Sequence, residues 1–158
     1  MTMGTISDWR LPMHPSYLYT VPLFHCNGWG HAWTMTALAG KIVCCRQVSA
    51  MAIYDAINTQ KVTHLGGAPI ILGMIINAES SDRKEFSHTV EIMTAGAPPP
   101  AAILEGIEKL GFNVTHVYGL TETYGHAVMC FWQDQWDDTD FTQRAIIKAR
   151  QGLSLIHI

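Results

Sequence analysis

The chain has 158 residues, of which 48% are hydrophobic and 15% are charged. This composition excludes a disordered chain and is sufficient for one domain with its own core. Ten basic and thirteen acidic residues give a net charge of −3, without the basic footprint of a nucleic-acid-binding domain. The charged fraction lies below the ~25% typical of soluble domains, so we expect part of the surface to be covered.

The sequence shows neither a membrane-spanning nor a secretory segment. Its longest apolar stretch, residues 66–76, is too short to cross the ~30 Å of a bilayer's hydrocarbon, and residues 1–10 lack the apolar core of a signal peptide. The four cysteines fit no CxxC spacing and predict small buried side chains in a reducing compartment: Cys26, Cys44, Cys45 and Cys130. We therefore expect a cytoplasmic protein without an integral membrane segment.

Short β-branched runs alternate along the chain with helical patterns. The patterns predict strand 17–21, helix 31–39, strand 41–45, helix 50–60, strand 62–65, helix 70–78, strand 89–94, a helix from the proline run to 110, strand 113–118, strand 127–132 and a helix through 150. This alternation predicts an α/β fold, with a mostly parallel sheet and helices on both of its faces.

Individual residues refine these elements. The apolar run 41–45 is typical of a strand covered on both faces. Ser49 is placed to cap the helix that follows it, whereas Gly119 is expected to end its strand. Asp140 and Arg144 are spaced as ion-pair partners on a helix.

Two segments, 94–98 and 118–123, follow predicted strands and contain glycine. Ligands of open α/β sheets bind beyond the carboxyl ends of strands, and the first segment also leads into a helix N-terminus, which favours anions. The second segment supplies an aromatic face, bare backbone, a hydroxyl donor and a carboxylate of the kind that binds nucleotide-bound Mg²⁺, in the order Tyr118, Gly119, Thr121 and Glu122. On spacing alone, a structural turn with a capping residue explains the string more often than a ligand site does.

Four strings in order change that weighting. They are PLFHCNGW at 22–29, VTHLGGAP at 62–69, TAGAPPP at 94–100 and YGLTET at 118–123. Together they resemble the adenylate-forming enzymes, the superfamily of acyl-CoA synthetases and firefly luciferase, over about residues 17–152. The similarity is greatest to acyl-CoA synthetases for medium-chain or related carboxylic acids. It implies a slice of the large N-terminal domain of these enzymes.

The resemblance implies a reaction in which a small carboxylic acid and ATP form an acyl-adenylate, whose acyl group then passes to CoA. It also implies roles for the matching residues. Gly96, Ala97 and Pro98 would border the adenine and Tyr118 would stack on it, as the family's motifs do. The remaining implied roles are an α-phosphate contact for Thr121, Mg²⁺ binding for Glu122, a place near the reacting carboxylate for His25, and walls of the acyl site for Trp29 and Gly119.

The family also has parts that this sequence does not match: a phosphate loop with its lysine, a ribose-binding aspartate with a following arginine, and a C-terminal domain with a catalytic lysine. We therefore expect residues 1–152 to be a partial AMP-binding domain that lacks the remainder of its chain and is inactive alone. The alternative is a non-catalytic nucleotide-binding or scaffolding α/β domain.

The last six residues depart from the family. LSLIHI, at 153–158, is the translation of CTGTCTCTTATACACATC, which resembles a transposase adaptor end used in sequencing libraries. We expect these residues to be a non-native tail. The alternative is a natural apolar tail that docks on the sheet.

Overall fold

The computed structural model describes residues 1–150 and 152–154. The strands are β1 (Ser16–Tyr19), β2 (Lys41–Cys44), β3 (His64–Gly67), β4 (Val90–Thr94), β5 (Phe112–Leu120), β6 (Gly125–Met129) and β7 (Leu153–Ser154). The α-helices are α1 (Thr2–Asp8), α2 (Cys26–Trp29), α3 (His31–Ala37), α4 (Ala50–Gln60), α5 (Pro69–Ile76), α6 (Ala101–Glu108) and α7 (Phe141–Lys148), with a 3₁₀ turn at Asp134–Trp136.

The strands form one sheet in the order β2-β1-β3-β4-β5-β6-β7. The first five run parallel, and β6 and β7 are antiparallel to their neighbours. This confirms the predicted mostly parallel α/β fold. The chain moves outward from β1 to β2 and then returns past β1 to β3, so the connections diverge between β1 and β3. In sheets of this kind, ligands bind at the carboxyl edge beside such a point.

Helices cover both faces of the sheet, as predicted. On one face, a row of side chains crosses four neighbouring strands and is buried under α4, α5, α6 and α7; it consists of Leu18, Leu65, Ile92 and Val114. On the other face, α1 and α3 pack with a second cluster that includes Trp9, Tyr17, Met35, Met93 and Val117. Burial of these two apolar clusters is the main stabilising contribution to the fold.

The strongest local signals are confirmed. Ser49 caps α4, and its hydroxyl accepts a hydrogen bond from the backbone N–H of Ala52 at 3.1 Å. Ile53 and Ile57, one turn apart, are both fully buried. Gly111, at the end of the α6 segment, has a φ of +90°, a backbone conformation that favours glycine.

Two predictions for the strands are wrong. The run 41–45 forms β2, but this strand lies at the edge of the described sheet, and Ile42 is 44% exposed. An apolar run does not reveal whether a second neighbour lies beside the strand. Gly119 does not end its strand, because β5 continues to Leu120 through a register shift at Tyr118/Gly119. A Cβ at Gly119 would overlap the backbone of Gly125, so the glycine permits close strand pairing.

The predicted pair of Asp140 and Arg144 is also wrong. The Asp140 carboxylate caps α7 and accepts a hydrogen bond from the backbone N–H of Gln143 at 2.8 Å. The Arg144 guanidinium instead lies 4.7 Å from the centre of the Trp132 ring. Its Nε lies 3.9 Å from an oxygen of Glu108.

A buried ion pair anchors α7 on α6 and β5. Lys148 donates hydrogen bonds to Glu108 and, at 2.6 Å, to Asn113. The side chains of Lys148 and Glu108 are only 4% and 5% exposed. Removing Lys148 would leave the buried Glu108 carboxylate with only the Arg144 guanidinium at 3.9 Å, and removing Glu108 would leave the Lys148 ammonium without an anion, so the pair favours the docking of α7.

The cysteine prediction is wrong in part, because Cys130 is buried whereas Cys44 is exposed. Of the six final residues, Leu153 and Ser154 pair with β6, and 155–158 lie outside the described residues. In the part of the chain that the structure describes, no helix is both long and apolar enough to span a bilayer.

Candidate functional site

The sheet carries a cavity of about 560 Å³ at its carboxyl edge. The lining residues come from the ends of β1, β3, β4 and β5, from the starts of α5 and β6 and from the loop that contains α2. They are Thr20, Val21, Pro22, His25, Cys26, Trp29, Ala68, Ile70, Ile71, Met93, Ala95, Gly96, Val117, Gly119, Leu120, Thr121, Gly125 and His126. The cavity therefore lies beside the point where the connections of the sheet diverge, and its size is typical of small-molecule sites.

Five of the nine predicted site residues line this cavity: His25, Trp29, Gly96, Gly119 and Thr121. They are separated by almost one hundred positions in sequence, and the parallel strand ends bring them to one edge. The other four lie outside the lining and are exposed at the same edge: Ala97, Pro98, Tyr118 and Glu122. Successive residues of a strand face opposite sides, so Tyr118 faces away from the cavity that Gly119 lines.

A left-handed turn shapes one wall. Residues 26–30 all have positive φ, from +44° at Cys26 to +73° at Gly30. Left-handed backbone costs about 1–2 kcal/mol for each residue other than glycine, so the surrounding contacts must hold the turn. Two features require glycine at position 28: its φ is +60°, and a Cβ there would lie 2.8 Å from the ring of Tyr19. The turn follows His25 directly and contains Trp29, so both residues lie on this wall of the cavity.

The position of the Trp29 ring, which lines the cavity, depends on Gly66 in β3. A Cβ at this position would lie 3.2 Å from the ring of Trp29 and 2.5 Å from the hydroxyl of Tyr17. The Thr20 hydroxyl donates to the backbone carbonyl of Gly66 and ties the end of β1 to β3. The absence of a side chain at Gly66 therefore allows the indole ring of Trp29 to lie against β3.

The turn between β5 and β6 contains Thr121, which lines the cavity, and Glu122, which lies beside it in the sequence. Both of these side chains are exposed. One hydrogen bond joins this turn to the left-handed turn, because the Asn27 side-chain amide donates to the hydroxyl of Tyr124 at 3.5 Å. The predicted carboxylate and hydroxyl are thus carried on a short turn rather than on a packed element.

The lining is mainly apolar. Among its described residues are two histidines and one cysteine, but no Asp, Glu, Lys or Arg. Burial lowers the pKa of His126, with a smaller opposing effect from Asp8. An apolar cavity without fixed charge suits an uncharged organic group, whereas a phosphate here needs counter-charge from elsewhere.

Two buried histidines lie among the aromatic residues of the sheet face that carries the cavity. The Nδ1 atom of His31 lies 3.1 Å from the hydroxyl of Tyr17 and 3.3 Å from the carbonyl of Gly28. Burial lowers the pKa of His31 from 6.5 to about 3 and that of His64 to about 4. The Trp9 ring contacts both imidazoles edge-on, at 5.4 Å and 5.0 Å between centroids. Both rings are therefore neutral structural groups near neutral pH.

In the part of the chain that the structure describes, the side chains do not form a metal site of their own. No cluster of three or more His, Cys, Asp or Glu side chains occurs there. Glu122 still fits a Mg²⁺ ion that arrives with a nucleotide, because such ions take one or two carboxylates together with phosphate oxygens. Its exposed carboxylate at the cavity edge is free of burial costs.

Sequence reasoning missed several lining residues. Thr20 and Ala68 follow β1 and β3, and Met93 and Val117 point from β4 and β5 into the same space. The GGAP string after β3 was an available signal for Ala68, and alternation along β4 and β5 was one for the other two. For His126 no signal was available, because its place depends on the antiparallel return of β6.

Comparisons with known proteins agree with this architecture. The probable acyl-activating enzyme 9 of Arabidopsis thaliana is 49% identical over 156 residues, which cover 99% of this chain and 28% of that protein. The 2-methylpropanoate–CoA ligase CCL4 of Humulus lupulus is 47% identical over the same shares. The probable acyl-activating enzyme 5 of Arabidopsis thaliana, named as peroxisomal, is 43% identical. The chain thus spans about 28% of the length of these relatives.

A solved structure shows the same fold. The N-terminal domain of FACL13 from Mycobacterium tuberculosis superposes with a TM-score of 0.71 at 19% identity, covering 82% of this chain and 33% of that domain. The family model described as AMP-binding enzyme matches residues 1–148. Because that match covers most of the chain, including every strand that borders the cavity, this chain belongs to the family of AMP-binding enzymes.

Proposed function

We propose that this chain supplies part of the adenylation site of an ATP-dependent acyl-CoA ligase. The observation that carries the proposal is the single cavity that His25, Trp29 and Thr121 line together. The naming of a relative as a 2-methylpropanoate–CoA ligase, at 47% identity, supports the same class of reaction. Residues 1–152 would form the partial AMP-binding domain, with 153–158 as a non-native tail.

In the first step, an oxygen of the substrate carboxylate attacks the α-phosphorus of ATP. The bond between that phosphorus and the bridging oxygen breaks, and pyrophosphate leaves with the electron pair. The Thr121 hydroxyl would donate to an α-phosphate oxygen, and His25 would orient the reacting carboxylate. Such transfers depend on positioning and charge neutralisation and need no protein nucleophile.

In the second step, the thiolate of CoA attacks the acyl carbon of the adenylate. The bond from that carbon to the phosphate oxygen breaks and AMP leaves. Trp29 and Gly119 would wall the acyl group, while Gly96, Ala97, Pro98 and Tyr118 would border the adenine. Glu122 would hold Mg²⁺, which neutralises phosphate charge when bound.

The chain alone is expected to be inactive. Its cavity lining has no lysine or arginine among the described residues, so developing phosphate charge lacks a fixed cationic partner. AMP binding without turnover is the expected behaviour of the isolated chain. When the chain is incubated with ATP, labelled pyrophosphate and carboxylic acids, no label should therefore pass into ATP, and measurable incorporation would refute the expected inactivity.

A chimera tests the function itself. Residues 1–152 would replace the matching segment of the hop 2-methylpropanoate–CoA ligase, to which this chain is 47% identical. We expect ATP–pyrophosphate exchange that depends on added acid, and a loss of at least about tenfold on Thr121→Val or Glu122→Gln. Thr59→Val, in α4 and away from the cavity, is the matched control and should retain exchange.

The alternative function is a non-catalytic nucleotide-binding or scaffolding domain. A folded chimera that binds AMP but catalyses no exchange with any acid would favour it and refute the ligase. We also propose that the protein works in the cytoplasm. A tagged protein that carries this chain within its own full-length sequence and is found only in peroxisomes would contradict this.

A further inference from the structure

The turn between β5 and β6 is held by one hydroxyl group. The Oγ1 atom of Thr123 accepts a hydrogen bond from the backbone N–H of Leu120 at 2.9 Å. Its own proton faces two carbonyl oxygens, that of Gly125 at 2.6 Å and that of Leu120 at 3.0 Å. Leu120 and Gly125 are paired residues at the ends of the two strands. A single side chain therefore bridges both ends of the turn from inside it.

The bridge encloses residues 121–124, among them Thr121 and Glu122, whose side chains are exposed. Packing against a core therefore does not fix their positions. Backbone contacts contribute as well, since Thr123 N–H donates to the Leu120 carbonyl at 3.2 Å and Tyr124 N–H donates to the Thr121 carbonyl at 3.0 Å. The hydroxyl is the side-chain group that joins these contacts to the strand ends.

We propose that Thr123 is a positioning residue for the adenylation site, because its hydroxyl fixes the turn that presents Thr121 and Glu122 at the cavity. The consequence for ligand binding rests on the proposed function. Thr123 itself is absent from the cavity lining, so it acts through its neighbours. Substrate-positioning groups must be held within a fraction of an ångström, which an exposed turn without this bridge does not provide.

Three variants of the full 158-residue chain test the geometry without any ligand. Thr123→Val removes the hydroxyl and keeps the shape, and Thr123→Ser restores the hydroxyl. Thr59→Val is the matched control, because the Thr59 hydroxyl is also exposed and donates to a local carbonyl, that of Asp55, at 2.7 Å. The measurement is amide hydrogen exchange of Leu120 by NMR, with the amides of α4 as an internal reference.

We expect Leu120 to exchange about tenfold faster in Thr123→Val, equivalent to about 1.4 kcal/mol, and within about threefold of wild type in Thr123→Ser. The Thr59→Val control should leave Leu120 unchanged. Equal exchange of Leu120 in the valine and wild-type chains overturns the proposal. If the valine variant fails to fold, a serine variant with unprotected Leu120 overturns it equally.

A titration with AMP and Mg²⁺ then separates the two proposals. We expect the apparent Kd to rise about tenfold in Thr123→Val and to recover in Thr123→Ser, since rescue by the shorter hydroxyl requires the bridge. A loosened turn with unchanged AMP affinity overturns the positioning role. A wild-type chain that binds no AMP overturns the proposed function for this chain, and the exchange rates still decide whether Thr123 fixes the turn.

Discussion

Acid should destabilise this fold through His31 and His64. Their side chains are 0% and 5% exposed, and burial holds the pKa of His31 at about 3 and that of His64 at about 4. In the unfolded chain both groups return to a pKa of about 6.5. Between these values the unfolded state binds more protons than the folded state. The stability from keeping both rings neutral is therefore present above pH ~6.5 and is lost as the pH falls towards the folded pKa values.

The magnitude follows from the same values. One unit of difference in pKa corresponds to about 1.4 kcal/mol. At pH 5 the pH lies about 1.5 units below the pKa of the rings in the unfolded chain, so these rings are protonated there, whereas the rings of the folded chain stay neutral between pH 7 and pH 5. Between pH 7 and pH 5, each histidine then lowers the free energy of unfolding by about 2 kcal/mol, and the two together lower it by about 4 kcal/mol. For a domain of marginal stability, this is a large share of the total free energy of unfolding.

Urea unfolding at pH 7, 6 and 5 measures this dependence. The variant His31→Phe should reduce the change in unfolding free energy between pH 7 and pH 5 by about 2 kcal/mol. Thr59→Val is the control, because it removes no titratable group and should leave the pH dependence unchanged. A direct NMR titration of the His31 ring accompanies the unfolding data and does not need the variant to fold. If that ring titrates near pH 6.5 in the folded chain, the reasoning is refuted.

Three substitutions test the packing by urea unfolding at neutral pH. Gly28→Ala places a Cβ against the Tyr19 ring at a residue with positive φ, and it should lower the unfolding free energy by about 1–2 kcal/mol. The control is Gly73→Ala, in a helix where a Cβ would have no atom within 4 Å, and it should raise the unfolding free energy by up to about 1 kcal/mol. Equal effects of the two substitutions would contradict the left-handed turn. Lys148→Met should cost about 3–5 kcal/mol by removing the hydrogen-bonded cation of the buried Glu108, and adding Glu108→Leu should recover most of the loss. A double variant no more stable than the single one would count against a buried pair. Ser49→Ala should cost about 1 kcal/mol through loss of the helix cap, and an unchanged midpoint would show that the cap contributes nothing.

Local signals in the sequence predicted the elements of this fold well. The cap at Ser49 and the spacing of Ile53 and Ile57 predicted α4 with its bounds. The alternation of strands and helices predicted the parallel sheet with two covered faces. These features depend on hydrogen bonds and side-chain periodicity within one or two turns, which a sequence displays directly.

The candidate site was predictable in part. The motif strings identified His25, Trp29, Gly96, Gly119 and Thr121, which the structure brings to one cavity. Thr20 and His126 were missed, because their contribution depends on the strand that lies beside them rather than on the string around them. Function-bearing residues without a motif can be recognised only when the neighbouring strand is known.

The sequence by itself determined the order of elements, the apolar faces and the family resemblance, since all of these are patterns along the chain. Tertiary structure alone decided that β2 is an exposed edge, that Gly119 continues its strand and that Arg144 packs on Trp132. It also decided the left-handed turn that follows His25. The physical reason is that each of these features depends on a partner distant in sequence, whose approach selects among conformations that the local residues permit.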